Sequence, residues 1–159
     1  GQVPVERETS DAKKAVDHAK ILLEKGHMLG VYPEGTLTRD SNMWPMVAKT
    51  GCARLALQTD TPVIPIAQWG SQLIVPNYTT RLNLFPRKTI IIRAGKPVDL
   101  SRWKGRADDP AALVEATAEI MRAITTLLED IRGEKRPEVI FDPHTSDLPR
   151  TGNFKKKRA

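Results

Sequence analysis

At 159 residues the chain suits a single compact domain, long enough to bury a real core without disulfides or metals. Its single cysteine, Cys52, excludes an intramolecular disulfide framework, and its three histidines have no zinc-ligand spacing with it, a usage that fits a reducing cytosolic compartment. The net charge of +6 leaves the folded part only mildly basic, because Lys155, Lys156, Lys157 and Arg158 carry four of the charges at the C-terminal end.

Ser10 or Asp11 caps a first helix, in which Ala12, Ala15, Val16, Ala19, Leu22 and Leu23 recur at spacings of three and four and Gly26 acts as a stop. Residues 28–32 then read as a short buried strand that runs into a polar loop, VYPEGTLTRD. Beyond Pro45 the spacing of Ala48, Cys52, Leu55 and Ala56 predicts a second helix of about a dozen residues, ending near Asp60. Residues 63–67, VIPIA, form a second apolar strand, and Pro65, with no N–H, makes it short, an edge or interrupted. Residues 88–94, KTIIIRA, carry the clearest β signal. Asp109 followed by Pro110 is an N-cap with proline at the first helical position, and it launches the longest helix. Leu113, Thr117, Ile120, Ile124, Leu127 and Ile131 form its buried stripe, and Gly133 ends it. From Glu134 the prolines and the loss of period predict an extended arm, residues 134–159, with the basic tail.

Helices and strands alternate, so the expected class is α/β, with a mixed or parallel central sheet flanked by helices. Ligands in such sheets sit outside the strand ends, which is where the polar loop lies. No apolar run approaches the roughly 20 residues that span a bilayer and no signal-peptide pattern opens the chain, so the expectation is a soluble or peripheral protein.

Four stretches carry groups suited to an anion. GQVPVER offers Arg7, whose planar donors match a phosphate or carboxylate. The polar loop offers Glu34, Thr36, Thr38 and Arg39, with Gly35 letting a ligand approach the backbone. VAKTG adds Lys49, and VIPIA adds Pro65. Taken singly each has a plainer reading: a turn closing a strand, a surface ion pair, a solvated lysine. Trp44 and Met46, flanking Pro45, either pack in the core or offer an apolar surface to a ligand.

Together these stretches resemble the glycerolipid acyltransferases, which acylate glycerol phosphate or lysophosphatidic acid. The family block of Gly, two variable residues, an apolar pair, any residue and Arg is matched by residues 1–7, with Pro4 and Val5 as the pair. A second block, Phe-Pro-Glu-Gly-Thr-Arg-Ser, is matched by Tyr32, Pro33, Glu34, Gly35, Thr36, Leu37 and Thr38. A Lys-x-Gly ahead of an Ala/Leu-rich helix is matched by Lys49 and Gly51, and Val-Ile-Pro-Ile by residues 63–66. Order and spacing agree over residues 1–70, with the actinobacterial branch as the nearest neighbour.

The resemblance implies a glycerol-3-phosphate acyltransferase-like fold whose N-terminal part is missing, with residues 1–133 as the C-terminal portion of the domain. It implies a 1-acylglycerol-3-phosphate O-acyltransferase that uses acyl-CoA or an acyl carrier protein as donor, with no cofactor and no metal. Lysophosphatidic acid and the acyl thioester are the implied partners, at the cytoplasmic face of the cell membrane as a peripheral protein. Arg7, Arg39 and Lys49 would hold the acceptor phosphate, Glu34 would orient an arginine or accept from an acceptor hydroxyl, and Pro65 would shape the pocket wall. Leu37 stands where the family commonly has arginine, and either Arg39 supplies that charge or Leu37 points into the acyl channel.

The family's catalytic block is a His followed five positions later by Asp, the His acting as base on the acceptor hydroxyl. Five positions after His18, His27 and His144 stand Leu23, Tyr32 and Pro149, so none qualifies and no residue here is assigned as catalytic. The chain alone is therefore expected to be inert, the His-x4-Asp segment lying upstream. The other reading open at this point is a non-catalytic domain that binds phosphate or anionic lipid. Nucleic-acid binding lacks interleaved basic and aromatic residues and is not expected.

Overall fold

The computed structural model describes residues 11–146; the expectations placed on Arg7 and on the basic tail lie outside the described residues. Helix α1 spans Asp11–Glu24, α2 Gly51–Thr59 and α3 Pro110–Arg132, while strands β1, Ile66–Trp69, and β2, Ile91–Ala94, pair antiparallel with Ala67 opposite Arg93. Single 3-10 turns at Ser71–Leu73 and Ser101–Trp103 punctuate the connections. Helices and strands are both present, and among the described residues the sheet is this two-stranded ribbon.

Local chemistry explains α3 at both ends. The Asp109 carboxylate accepts from Ala111 N at 2.9 Å and Ala112 N at 3.3 Å, Pro110 needs no N–H partner, and Gly133 at φ 66° closes the helix by donating to Glu129 O. Of the expected stripe Leu113, Thr117 and Ile120 are buried, joined by Ala112, Ala116, Met121, Thr125 and Leu128, while Ile124, Leu127 and Ile131 are only half-buried because the buried face drifts round the helix toward its C-terminal end. Helix α2 is shorter than its periodicity predicts, and the reason lies outside it. Met46 N donates to Glu34, Val47 N to Phe141 O and Lys49 N to Pro33 O, so residues 46, 47 and 49 are pinned to distant partners ahead of the helix.

Residues 28–32 do not form the strand expected of them. Met28 is 97% and Tyr32 88% exposed, because a strand is made by its ladder and no partner strand meets this run among the described residues. Strand β1 starts just past Pro65, whose missing N–H delays the ladder, although Val63 O and Pro65 O still accept from Val98 N and Gly95 N.

Two cores follow. In one, Ala53 of α2 and Trp103 pack against Ala112, Leu113, Ala116 and Ile120 of α3; Leu113 and Ile120 are 1% and 2% exposed. Side chains so fully buried contribute about 2–3 kcal/mol each. In the other, Trp44 packs with Ala67 of β1 and Leu128 of α3, against Trp69, Leu127 and Ile131. Trp44 thereby anchors the far end of the polar loop to both layers. Trp44 and Met46, 5% and 1% exposed, are packed inside rather than presented at the surface.

Candidate functional site

The polar loop, residues 33–49, folds back on itself through its own side chains. A turn brings Gly35 N to Tyr32 O at 3.0 Å, and Gly35 adopts φ 67°, a left-handed conformation that a Cβ would strain. Thr38 Oγ1 donates to Trp44 O at 2.7 Å, and Asp40 Oδ1 accepts from Asn42 N and Trp44 N. These short-range bonds make residues 38–44 a closed turn with little freedom of its own.

Arg39 is the brace of this turn. It is 5% exposed, and its Nη1 donates to Thr36 Oγ1 at 3.2 Å, Leu37 O at 3.3 Å and Tyr78 Oη at 3.1 Å. Tyr78 in turn offers its proton to Leu37 O at 2.9 Å and Thr38 O at 3.1 Å, with its ring 5.8 Å below the guanidinium. Burial raises the phenol pKa of Tyr78, an effect the Arg39 charge opposes. Leu37 is 55% exposed. Arg39 thus turns inward while Leu37 faces out.

Glu34 sits beneath the loop, its Oε2 accepting from Met46 N at 2.8 Å. Burial pushes its carboxyl up to about 7 from an ordinary 4.5, and the Met46 amide holds it back only in part. Near neutral pH the group is then about half protonated, which weakens its repulsion of an anion beside it. Lys49 reaches the loop from the other side: its Cε lies 3.7 Å from where a Cβ on Gly35 would be, and it makes no ion pair among the described residues.

The structure therefore brings Glu34, Gly35, Thr36, Thr38, Arg39 and Lys49 into one loop. Pro65 lies elsewhere, buried beside Gly95 ahead of β1. Arg7 lies outside the described residues. Of the histidines, His18 and His27 are exposed on and just after α1, and His144 is exposed in the arm. Two residues missing from the sequence reading turn out to shape the site. Tyr78 stands about forty positions from its partners with no spacing that signals it. Arg132 closes α3 and stacks its guanidinium 4.1 Å from Trp44 and 4.3 Å from Trp69; its one sequence signal is a cation in the last turn of a helix.

An anion-suited loop rich in Pro, Glu, Gly and Thr, followed by a lysine and an Ala/Leu-rich helix, defines the class of site. Residues 1–69 match the Acyltransferase family model. It is 31% identical over 84 residues to a 1-acyl-sn-glycerol-3-phosphate acyltransferase of Limnanthes douglasii, covering 53% of this chain and 28% of that protein. It is 35% identical over 79 residues to a chloroplastic 1-acyl-sn-glycerol-3-phosphate acyltransferase of Brassica napus, covering 48% of this chain and 22% of that protein. The chain spans less than a third of the length of these relatives. No solved structure matches it.

The Glu34 environment gives a pH-dependent expectation. Between the ordinary 4.5 and the folded value of about 7, the folded chain holds a proton that the unfolded chain has released, so its stability falls as pH rises through that window. Glu34→Gln keeps an acceptor for Met46 N without the titration. In urea unfolding the variant should match the wild type near pH 4 and exceed it by about 1–3 kcal/mol at pH 8. Parallel pH profiles for the two proteins would show that Glu34 is not held protonated.

Proposed function

We propose that this chain forms the acceptor-binding part of a 1-acylglycerol-3-phosphate O-acyltransferase. Such an enzyme moves an acyl group from acyl-CoA or an acyl carrier protein to the free hydroxyl of lysophosphatidic acid, making phosphatidic acid. The observation that carries this reading is the Lys49 side chain lying alongside the open Cβ position of Gly35, in a loop whose shape Arg39 fixes from inside. Lys49 and Arg7 hold the phosphate, Arg39 and Tyr78 keep the loop in register, and Glu34 in its protonated form leaves the anion unopposed. Thr36 and Thr38 line the loop. Pro65 acts at a distance by starting β1, onto which Trp44 packs.

In the reaction the acceptor hydroxyl loses its proton to a base, its oxygen bonds to the thioester carbonyl carbon, and the C–S bond breaks to release the thiol. Fixing the phosphate fixes the hydroxyl relative to the thioester, the positional effect that carries much of such transfers. None of the three histidines here is followed by Asp at the fifth position, so these residues are assigned to binding rather than to proton transfer. The ribbon and the exposed run 28–32 are read as parts of a larger mixed sheet, which would cover Met28 and Tyr32. The working location is the cytoplasmic face of the membrane.

Titration calorimetry with short-chain 1-acylglycerol-3-phosphate, kept below its aggregation concentration, tests the reading. The chain should bind it and not the phosphate-free 1-acylglycerol. Lys49→Ala should weaken binding about tenfold, the worth of one charge-assisted contact. Because Lys49 is exposed, the same variant should change stability by no more than about 0.5 kcal/mol. Equal affinity for the two lipids would remove the phosphate site.

A further inference from the structure

Between Asp60 and Asp99 the chain has no carboxylate side chain and five cations, Arg81, Arg87, Lys88, Arg93 and Lys96. Three of them bracket the most apolar exposed surface of the connection from β1 to β2. Leu82, Leu84 and Phe85 are 59%, 55% and 88% exposed, with Arg81 before them and Arg87 and Lys88 after. Large apolar side chains scattered singly are ordinary; three within four residues, ringed by like charge, are not.

The connection is built to hold this stretch out. Gly70, at φ 107°, lies so close to Thr89 that a Cβ there would sit 2.2 Å from the Thr89 carbonyl oxygen, which closes the base. Asn83 N donates to Ile74 O at 2.8 Å, drawing the outgoing and returning halves together. Between those halves Tyr78 reaches back to Leu37 O and Thr38 O. The tether that displays the apolar tip therefore also touches the polar loop.

We propose that residues 81–88 dock the protein on an anionic lipid bilayer, with Leu82, Leu84 and Phe85 entering the interface and Arg81, Arg87 and Lys88 against lipid phosphates. Apolar side chains that reach the acyl boundary below a ring of cations are the chemistry of interfacial binding. A second copy is disfavoured, because a two-fold contact would set this basic patch against itself. No helix among the described residues is long and apolar enough to cross a membrane, so attachment through a loop needs no spanning segment from this region. The inference deepens the lipid-substrate reading and rests on it for one point only, that docking here turns the polar loop toward the lipid.

Co-sedimentation of the full 159-residue chain with phosphatidylcholine vesicles, with and without equimolar phosphatidylglycerol, tests it. Binding should require the anionic lipid and fall with salt. Leu84→Ser with Phe85→Ser, and separately Arg87→Glu with Lys88→Glu, should each weaken binding at least about tenfold with an unchanged circular-dichroism spectrum. Replacing Lys155, Lys156 and Lys157 by alanine should weaken it less than about threefold. Several results would overturn the proposal: no vesicle binding, loop variants that bind like wild type, loss through the tail variant alone, or vesicle-free self-association abolished by the loop variants. Monomeric lysophosphatidic acid, titrated without vesicles, reports on the Lys49 site independently, so either idea can fail while the other stands.

Discussion

Arg132→Ala is expected to lower the stability of the folded chain by about 3–4 kcal/mol and to loosen the turn at residues 40–44. The Arg132 side chain is 8% exposed and lies between two indole rings, at 4.1 Å from Trp44 and 4.3 Å from Trp69. A desolvated cation over an aromatic face contributes about 1–2 kcal/mol, and here there are two such faces. Nη1 also donates to Asn42 O at 2.9 Å, and Nη2 meets Glu134 at 2.5 Å. Nε is buried without a hydrogen-bond partner in the described structure, a small cost that the stack outweighs. Alanine removes these contacts and leaves a gap between the rings. Arg132→Met, which keeps much of the stem volume, should cost about half as much, and Arg132→Lys should fall between because an ammonium cannot stack as a plane. Urea unfolding followed by tryptophan emission reads all three. A change below about 0.5 kcal/mol for alanine would mean that the stack carries no net stability.

Gly70→Ala is the second large effect, expected at about 3–5 kcal/mol. Its new Cβ would meet Thr89 O at 2.2 Å and Ile90 Cα at 3.2 Å, backbone atoms that can move only if the start of β2 moves. The φ of 107° adds strain for any side chain. Gly105→Ala provides the comparison, since Gly105 has φ 78° with nothing within 4 Å of the added carbon. That variant should cost only about 1 kcal/mol. Hydrogen exchange at the Asn83 amide should speed up in Gly70→Ala and not in Gly105→Ala, because only Gly70 closes the base of that connection.

The two ends of helix α3 were legible because their signals are local, Asp109 and Pro110 at one end and Gly133 at the other, whereas its buried face was only half read, since Met121, Thr125 and Leu128 are chosen by the elements packed on them. The start of α2 was not legible, because residues 46, 47 and 49 are held by acceptors on Glu34, Phe141 and Pro33 that lie outside the helix and carry no local signal. Residues 28–32 have strand composition and lack a partner, and composition cannot supply one. In the site, the loop from Glu34 to Arg39 and its lysine were readable as a cluster. The inward turn of Arg39 was not, since Tyr78, nearly forty residues on, takes part in holding it there. Long-range partners decide which way a side chain faces, and one-dimensional spacing is silent on them.

The polar loop occupies a short early stretch of the chain, yet its supports come from much later: Tyr78 at its crown, Arg132 under Trp44, and Phe141 on the Val47 amide. Motif and cooperative unit therefore have different borders. A fragment that ended after β1 would retain every group suited to a phosphate and lose the three clasps that arrange them. Affinity would be spent on ordering the loop at each encounter instead of being installed once, when the whole chain folds.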